Sequence, residues 1–300
     1  MSLFGGVDGA YKRMTKRWLI NTVLLIIALI LAWLLWAHPQ TPVVAIPPTL
    51  TALKPANVTT VTVQQPGRPL ITLTRKGSQW FLQTPFHARA DQFRLAALTD
   101  LVSTSVTDQF APPPTGLTPF GLAPARLTLT LNQTRILIGD RHLFANQNLR
   151  YAYANGRIAL ISAEAIHPRR LQVDSFLSTE LLGNHIHPIA FTFRHFQVIR
   201  RQGIWRVLPA APVSNDRINT FVDEWRYARA LAVTRYHGAI ARGRILIEYK
   251  QPMAGGKRQL KTLTIDILAT TPELILYRPS EGLEYHFPAE IGKRLLHITS

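Results

Sequence analysis

The chain has no cysteine. Disulfides, thiolate metal sites and thiol nucleophiles are therefore excluded, whatever the redox compartment. Acidic residues are scarce: 17 Asp and Glu stand against 34 Lys and Arg, a formal charge of +17. Sites built from several carboxylates have little to draw on. There is no Gly-x-Ser-x-Gly nucleophile elbow and no complete phosphate-binding loop. After residue 37 no apolar run is long enough to cross a bilayer. None of these absences names a function, but together they leave no catalytic, nucleotide or cofactor motif above background, so no enzyme and no cofactor is expected.

One long apolar run is present. Trp18–Ala37 holds twenty residues without a charge. At about 1.5 Å per helical residue it matches a hydrocarbon core of about 30 Å. Lys12, Arg13, Lys16 and Arg17 precede it, and no Lys or Arg follows until Lys54. The positive-inside rule then predicts a cytoplasmic tail over 1–17, a transmembrane helix over 18–37 and everything later outside. The expected setting is a bacterial inner membrane, crossed once, with the lipid bilayer as first partner. A cleaved signal peptide is the rival reading. Its apolar cores run about 7–15 residues, and this one is longer and rich in Trp. Residues 38–56, with repeated Pro, read as an extended stalk.

The remainder reads as one unit written twice, over 57–182 and 183–300. In the first, short β-prone runs at Val58–Val63 and Leu70–Thr74 lead through a turn to Trp80. Asp91 suits a helix N-cap, with Phe93, Ala96, Ala97 and Leu101 following at helical spacing. Leu127–Leu131 alternates as a half-buried strand should, and Ser162–Ala165 opens a short closing helix. In the second, Ile189–Phe193 and Gln197–Arg200 lead to Trp205. Ser214-Asn215-Asp216 signals another helix start, with Asp216 placed as the counterpart of Asp91. Pro288-Ala289-Glu290 opens the last helix. Trp80 and Trp205 are 125 residues apart, as are Asp91 and Asp216. A common offset in a common order argues for duplication. The expected class is α+β: a single transmembrane helix, then two tandem antiparallel-sheet-plus-helix units joined by Leu171–Leu182.

The first unit also carries a recognisable set: a hairpin ending in Trp80, then Pro85, Ala90-Asp91, Phe120-Gly121-Leu122-Ala123-Pro124, an alternating strand, Ile138-Gly139 and Arg150-Tyr151. This set, over roughly residues 50–170, resembles the bacterial family known as domain of unknown function 4340. The second unit looks like a diverged copy without the Phe-Gly-Leu-x-x-Pro turn. The resemblance implies an envelope protein, often encoded beside ABC-type exporters, and supplies no catalytic residues.

Candidate sites are few. His185-Ile186-His187, with His195, is the best metal candidate, yet no carboxylate lies at ligand spacing, and zinc needs at least three convergent ligands. No metal is expected. Asp91 and Asp216 read as caps rather than paired catalytic acids. Of the 34 basic residues 26 are Arg, and residues 1–50 hold only four of them against Asp8, leaving about +14 beyond. Arg200, Arg201, Arg206, Arg226, Arg229, Arg235, Arg242 and Arg244 concentrate in the second unit. They suggest an anion-facing or partner-facing surface, with Arg226 and Arg229 as helix neighbours at i, i+3. Nucleic acid is not expected, since no aromatic–basic recognition motif is present. The leading expectation is a non-enzymatic binding or assembly module, accessory to an exporter or another inner-membrane complex. The second is a scaffold tethering the membrane to anionic cell-wall or surface polymers. The third is a polymer hydrolase.

Overall fold

A computed structural model describes residues 8–37, 48–142, 148–167, 171–183, 186–252 and 258–298; within these, the side chains of 8–17, 19, 20, 35, 37 and 252 are not described. The chain divides into two compact units, 1–46 and 47–300. The described residues of the first unit form one helix, α1 (Asp8–Ala37). Val23–Ile27 and Leu29–Leu31 are exposed along it, as are Trp18, Trp33 and Trp36.

The expected membrane span is corrected here. Among the described residues no helix is long and apolar enough to cross a membrane. The helix also does not begin at Trp18. It starts at Asp8 and carries Lys12, Arg13, Lys16 and Arg17 in its early turns. The charge asymmetry therefore flanks no demonstrated span.

The class is corrected too. The structure is mostly antiparallel β, with 42% strand against 23% helix, so sheet and not a helix–sheet balance defines the architecture. Among the described residues of 47–300 the first sheet has nine strands in the order β4-β3-β2-β1-β6-β7-β8-β9-β5. They are β1 (Thr60–Gln64), β2 (Ile71–Lys76), β3 (Gln79–Thr84), β4 (Ala88–Arg89), β5 (Asp108–Phe110), β6 (Leu127–Leu131), β7 (Thr134–Arg141), β8 (Leu149–Ala154) and β9 (Arg157–Ser162). The second sheet has eight, in the order β12-β11-β10-β14-β15-β16-β17-β13. They are β10 (Pro188–Thr192), β11 (Gln197–Arg201), β12 (Ile204–Leu208), β13 (Ala232–Arg235), β14 (Gly243–Pro252), β15 (Arg258–Ala269), β16 (Leu274–Arg278) and β17 (Leu283–Phe287). Setting β10 against β1 and counting on, the two orders correspond strand for strand once β4 is left out. Both Arg75–Trp80 and Arg200–Trp205 are cross-strand pairs in the hairpin that leads to the edge.

Alternation creates the two faces of each sheet. Val61, Val63, Leu73, Leu82, Leu127 and Leu129 point to the core, while Thr60, Thr62, Thr72, Thr74, Thr128 and Thr130 stay half exposed on the other side. Helix α2 (Gln92–Thr99) buries Leu95 and Leu98. In the second half α3 (Asn215–Arg226) buries Ile218, Phe221, Val222 and Trp225, and Trp225 Nε1 donates to Leu295 O of α4 (Ala289–Leu296) at 2.9 Å. One apolar cluster runs through both halves.

Local chemistry explains most landmarks. Asp91 caps α2, its carboxylate accepting from Phe93 N and Arg94 N. Asp216 does not cap α3. That cap is Ser214, whose hydroxyl accepts from Arg217 N, and Asp216 lies in the first turn. Trp80 is buried, whereas Trp205 is only partly buried. The expected helix at Ser162–Ala165 is a turn, with Ala165 N donating to Ser162 O at 3.1 Å. In the Phe120–Pro124 turn Gly121 has φ +64°, and a side chain there would collide with Asp140; one at Gly139 would strike Phe120 O. These two glycines let the loop lie directly on β7. Residues 38–47 of the expected stalk lie outside the described residues. Its remainder packs on the first half, with Leu50 N donating to Thr104 O and Thr51 N to Val102 O.

The halves meet around a buried ion cluster. Arg89 of β4 holds Glu281 at 2.5 Å, both side chains 11% exposed. Arg89 Nη2 also donates to Glu180 O at 2.7 Å and to Tyr285 OH at 3.1 Å. Tyr285 OH donates to Glu281 Oε2 at 2.5 Å. Arg278 Nη1 donates to Leu181 O at 2.7 Å and stands 3.5 Å from Glu281. Burial alone pulls the Glu281 carboxyl up, but Arg89, Arg278 and the Tyr285 hydroxyl together hold it below the usual carboxylate range. Burial also pushes the Tyr285 phenol well above its ordinary value.

This packing sets two expectations for stability. Trp80→Ala is expected to cost about 3–5 kcal/mol, and Trp205→Ala clearly less, in urea unfolding of the full chain; equal costs would contradict the difference in burial. Glu281→Gln leaves Arg89 and Arg278 buried without their carboxylate and is expected to cost about 3–5 kcal/mol. Because the folded carboxyl titrates below its unfolded value of about 4.3, its stabilisation is present above that pH and lost as pH falls through the folded value. Unfolding free energy should therefore drop more steeply on acidification in the parent than in Glu281→Gln. Parallel acid profiles would remove the pair from the account.

Candidate functional site

The eight arginines singled out from the sequence are all exposed, but they do not form one patch. Arg200, Arg201 and Arg206 sit on the β11–β12 hairpin. Arg226 ends α3. Arg229 lies beyond the helix, so the expected i, i+3 helical pair does not exist. The chain leaves the helix at Tyr227 because Ala228–Ala230 pairs with the linker: Leu181 N donates to Ala228 O and Ala230 N to Thr179 O. Arg229 instead holds Glu180 at 2.6 Å. Arg235 stacks over Phe86 of the first half at 4.9 Å. Arg244 is bound to Asp266 at 2.7 Å, which raises the guanidinium pKa.

Arg200 and Arg226 do converge. With His187, Trp205, Asn219 and Asp223 they line a groove of about 480 Å³ between the β11–β12 hairpin and α3. Strand alternation places Arg200 on the same sheet face as Val198, beyond the part that α3 covers, beside its cross-strand partner Trp205. On α3, Asn219, Val222, Asp223 and Arg226 follow i, i+3, i+4, i+7 and so share one face. Arg226 reaches Asp223 at 3.5 Å and lies 5.4 Å over the Tyr227 ring. Arg200 donates through Nε to Gly203 O, and its terminal nitrogens have no partner among the described residues. Its counterpart Arg75 donates to Gly77 O in the same way but spends Nη1 on Ala56 O. Both arginines brace their hairpin turn, and among the described residues only Arg75 uses a terminal nitrogen as well.

A second groove, of about 550 Å³, lies at the junction of the halves. Trp80, Arg89 and Phe93 come from the first half, Glu180 from the linker, and Tyr227 and Arg229 from the second. Phe93 is 74% and Tyr227 69% exposed, so two aromatic faces flank it. Segment 226–229 thus walls both grooves. Asn219, Asp223 and Tyr227 escaped the sequence reading, and Phe93, read there as part of an apolar helix face, is exposed. The α3 residues had a signal, the shared helical face with Arg226; Phe93 and Tyr227 had none, because aromatics at helical spacing read first as core.

Chemically the grooves can bind anions and stack planar groups. Thr234 Oγ1 lies 3.2 Å from His286 Nε2, and His286 Nδ1 lies 3.0 Å from Glu273. This has the connectivity of an acyl-transfer triad, but none of the three lines either groove, and they join β13, β17 and the start of β16 on the outer sheet face. Among the described residues no group of three His, Asp or Glu is placed to hold a metal. His185 lies outside the described residues, and His187 lines the first groove.

Comparison with known proteins adds no relative. No family model matches the chain, so its resemblance to domain of unknown function 4340 gains no support, and no curated protein and no solved structure matches it either.

Proposed function

We propose that the protein is a non-enzymatic binding module whose second half takes an acidic partner within a larger assembly. The observation that carries this reading is the groove in which Arg200 and Arg226 meet Trp205 and Asn219, with the Arg200 terminal nitrogens unpartnered among the described residues. The wider field supports it. Acidic groups near the grooves are largely engaged: Glu180 by Arg229, Asp223 by Arg226, and Asp91 in its cap. What faces solvent is net positive, which speeds and orients association with an acidic surface.

A polysaccharide carrying carboxylates is the second reading. Asn219 and Asp223 offer hydroxyl partners between the arginines, and the partly exposed Trp205 offers a ring face. A nucleic acid suits the grooves less. Its phosphates repeat every few ångströms, and Asp223 and Glu180 interrupt the positive lining.

The expected outcome is salt-sensitive binding of poly-L-glutamate by the full chain. Exposed charges are screened over about 8–10 Å at physiological ionic strength. Reversing Arg200 and Arg226 to Glu together should weaken it by about tenfold or more, on the order of 1.4 kcal/mol. Reversing Arg135 and Arg141, exposed in the first sheet, changes net charge equally and should matter far less. Alginate serves as the polysaccharide arm. If both double variants behave alike, the localised surface is wrong; if neither polymer binds at low salt, the acidic partner is wrong.

A further inference from the structure

The two halves differ at one edge. In the first sheet the outward backbone of β3 is covered. Trp80 O accepts from Ala90 N at 2.9 Å, and Leu82 stands opposite Ala88 of β4. With the Gln92 amide oriented to satisfy its neighbours, Trp80 N donates to Gln92 Oε1 at 2.9 Å. Strand β4 is covered in turn by the linker, through Ser178 N to Arg89 O and Asp91 N to Phe176 O. This position of the fold accepts an added strand and is built to do so.

In the second sheet the corresponding edge is bare. β12 ends the strand order. Its two-residue hairpin turn closes on Arg201 and Ile204, so these two exchange backbone bonds and the next outward-facing residues are Trp205 and Val207. The same count in the first half makes Trp80 and Leu82 outward, as observed. Among the described residues no partner meets the outward N–H and C=O groups of Trp205 or Val207. An open row of this kind is a template for pairing.

We propose that β12 takes an extended, acidic segment of a partner polypeptide as an added strand. This rests on the reading that the second half binds an acidic partner, and it supplies the mode. The chemistry comes from the two rows of side chains on β12. On the outer face Arg206 stands between Ile204, 53% exposed, and Leu208, 37% exposed, with Arg201 beside them on β11. On the other face Val207 is buried and the partly exposed Trp205 lines the Arg200–Arg226 groove. A complementary strand alternates acidic residues on the face of Arg206, with Arg201 one strand further in, and apolar residues on the face of Trp205. A second copy of β12 is a poor occupant. Antiparallel self-pairing centred on Arg206 sets it against its own copy, and each chain carries +17. Arg206 thus discourages self-association and selects an acid.

The test uses the full chain and a synthetic ten-residue peptide alternating Val and Glu. The peptide is expected to bind and to slow amide hydrogen exchange at Trp205 and Val207 by tenfold or more, with little change at Ile204 and Arg206, whose amides already face β11. The same peptide N-methylated at alternate residues, on the edge that faces β12, should not bind. Arg206→Glu should weaken binding about tenfold, and Arg135→Glu should leave it unchanged. Binding without protection of Trp205 and Val207, or equal binding of the N-methylated peptide, overturns the added strand while leaving the acidic-partner reading intact. Absence of binding at low salt overturns both. Protection of the same two amides on concentrating the chain alone, with dimer formation, makes the occupant a second copy and overturns the proposal.

Discussion

The Arg89–Glu281 pair is the contact on which the arrangement of the two halves depends. It sits where β4 of the first sheet, the linker and the β16–β17 turn of the second sheet come together. A buried pair of this kind gains little over apolar packing of the same volume. What it does supply is position. Arg89 can satisfy Glu281, Tyr285 and the carbonyls of Glu180 and Leu181 only in one relative placement of the halves. Arg278 fastens the same linker carbonyl from the other side. Once the linker is held, its backbone pairs with Ala228 and Ala230. That pairing ends α3 at Arg226 and turns Tyr227 and Arg229 toward the junction groove. The wall shared by the two grooves is therefore a consequence of the ion cluster.

The matching strand orders of the two sheets set up a comparison inside one molecule. Equivalent positions have the same backbone role and different surroundings. Trp80 is buried because β4, Gln92 and the start of α2 close over it; Trp205 stays partly open because among the described residues no strand takes the place of β4. Arg75 spends its guanidinium on Ala56 O, while Arg200 does not. In each case the first half uses the residue to complete its own fold, and the second half leaves the same group available. The first half is the covered copy, joined to its neighbour along the β3–β4 edge. The second carries the matching edge without a strand among the described residues, beside the groove that Arg200 and Arg226 line.

Much of the sheet layout was legible. Thr-x-Thr and Leu-x-Leu alternation is a direct consequence of the strand repeat, so β1, β2 and β6 could be placed from the pattern alone. The common 125-residue offset marked the hairpins correctly. Other features were not legible, for physical reasons. Ser214, Asn215 and Asp216 are all good cap formers, and only the burial of Ile218, Phe221 and Trp225 selects Ser214. The helical pairing of Arg226 with Arg229 failed because a long-range contact, the linker strand, overrode the local pattern. The apolar run at Trp18–Ala37 suggested a span that began at its own boundary, whereas α1 continues through the charged residues before it. The α+β expectation gave weight to four helix signals, and sheet dominates the count. Unpaired backbone at β12 has no sequence signature at all, because edge status depends on which strands are missing.

The charge of the chain acquires meaning from where its few acids go. Glu281, Asp266 and Glu284 are among the least exposed polar groups of the second half, and each faces a basic partner: Arg89, Arg244 and His237. Glu224 stands between Arg217 and Arg294 at 3.5 and 3.8 Å. Glu281 and Asp266 are held by Arg89 and Arg244, and Glu284 lies beside His237, so these acids contribute little to the outer field. The excess then falls on arginines with weak partners or none, Arg200, Arg201, Arg206 and Arg226 among them. These lie around β12 and the end of α3, and they are adjacent because β11, β12 and α3 pack on one another. A surplus distributed for solubility alone has no reason to coincide with the one sheet edge whose counterpart in the first half is closed by a strand. Here the positive field, the partly exposed Trp205 and the free backbone of β12 coincide in space, and an extended acidic chain is the ligand class that can use all of them together.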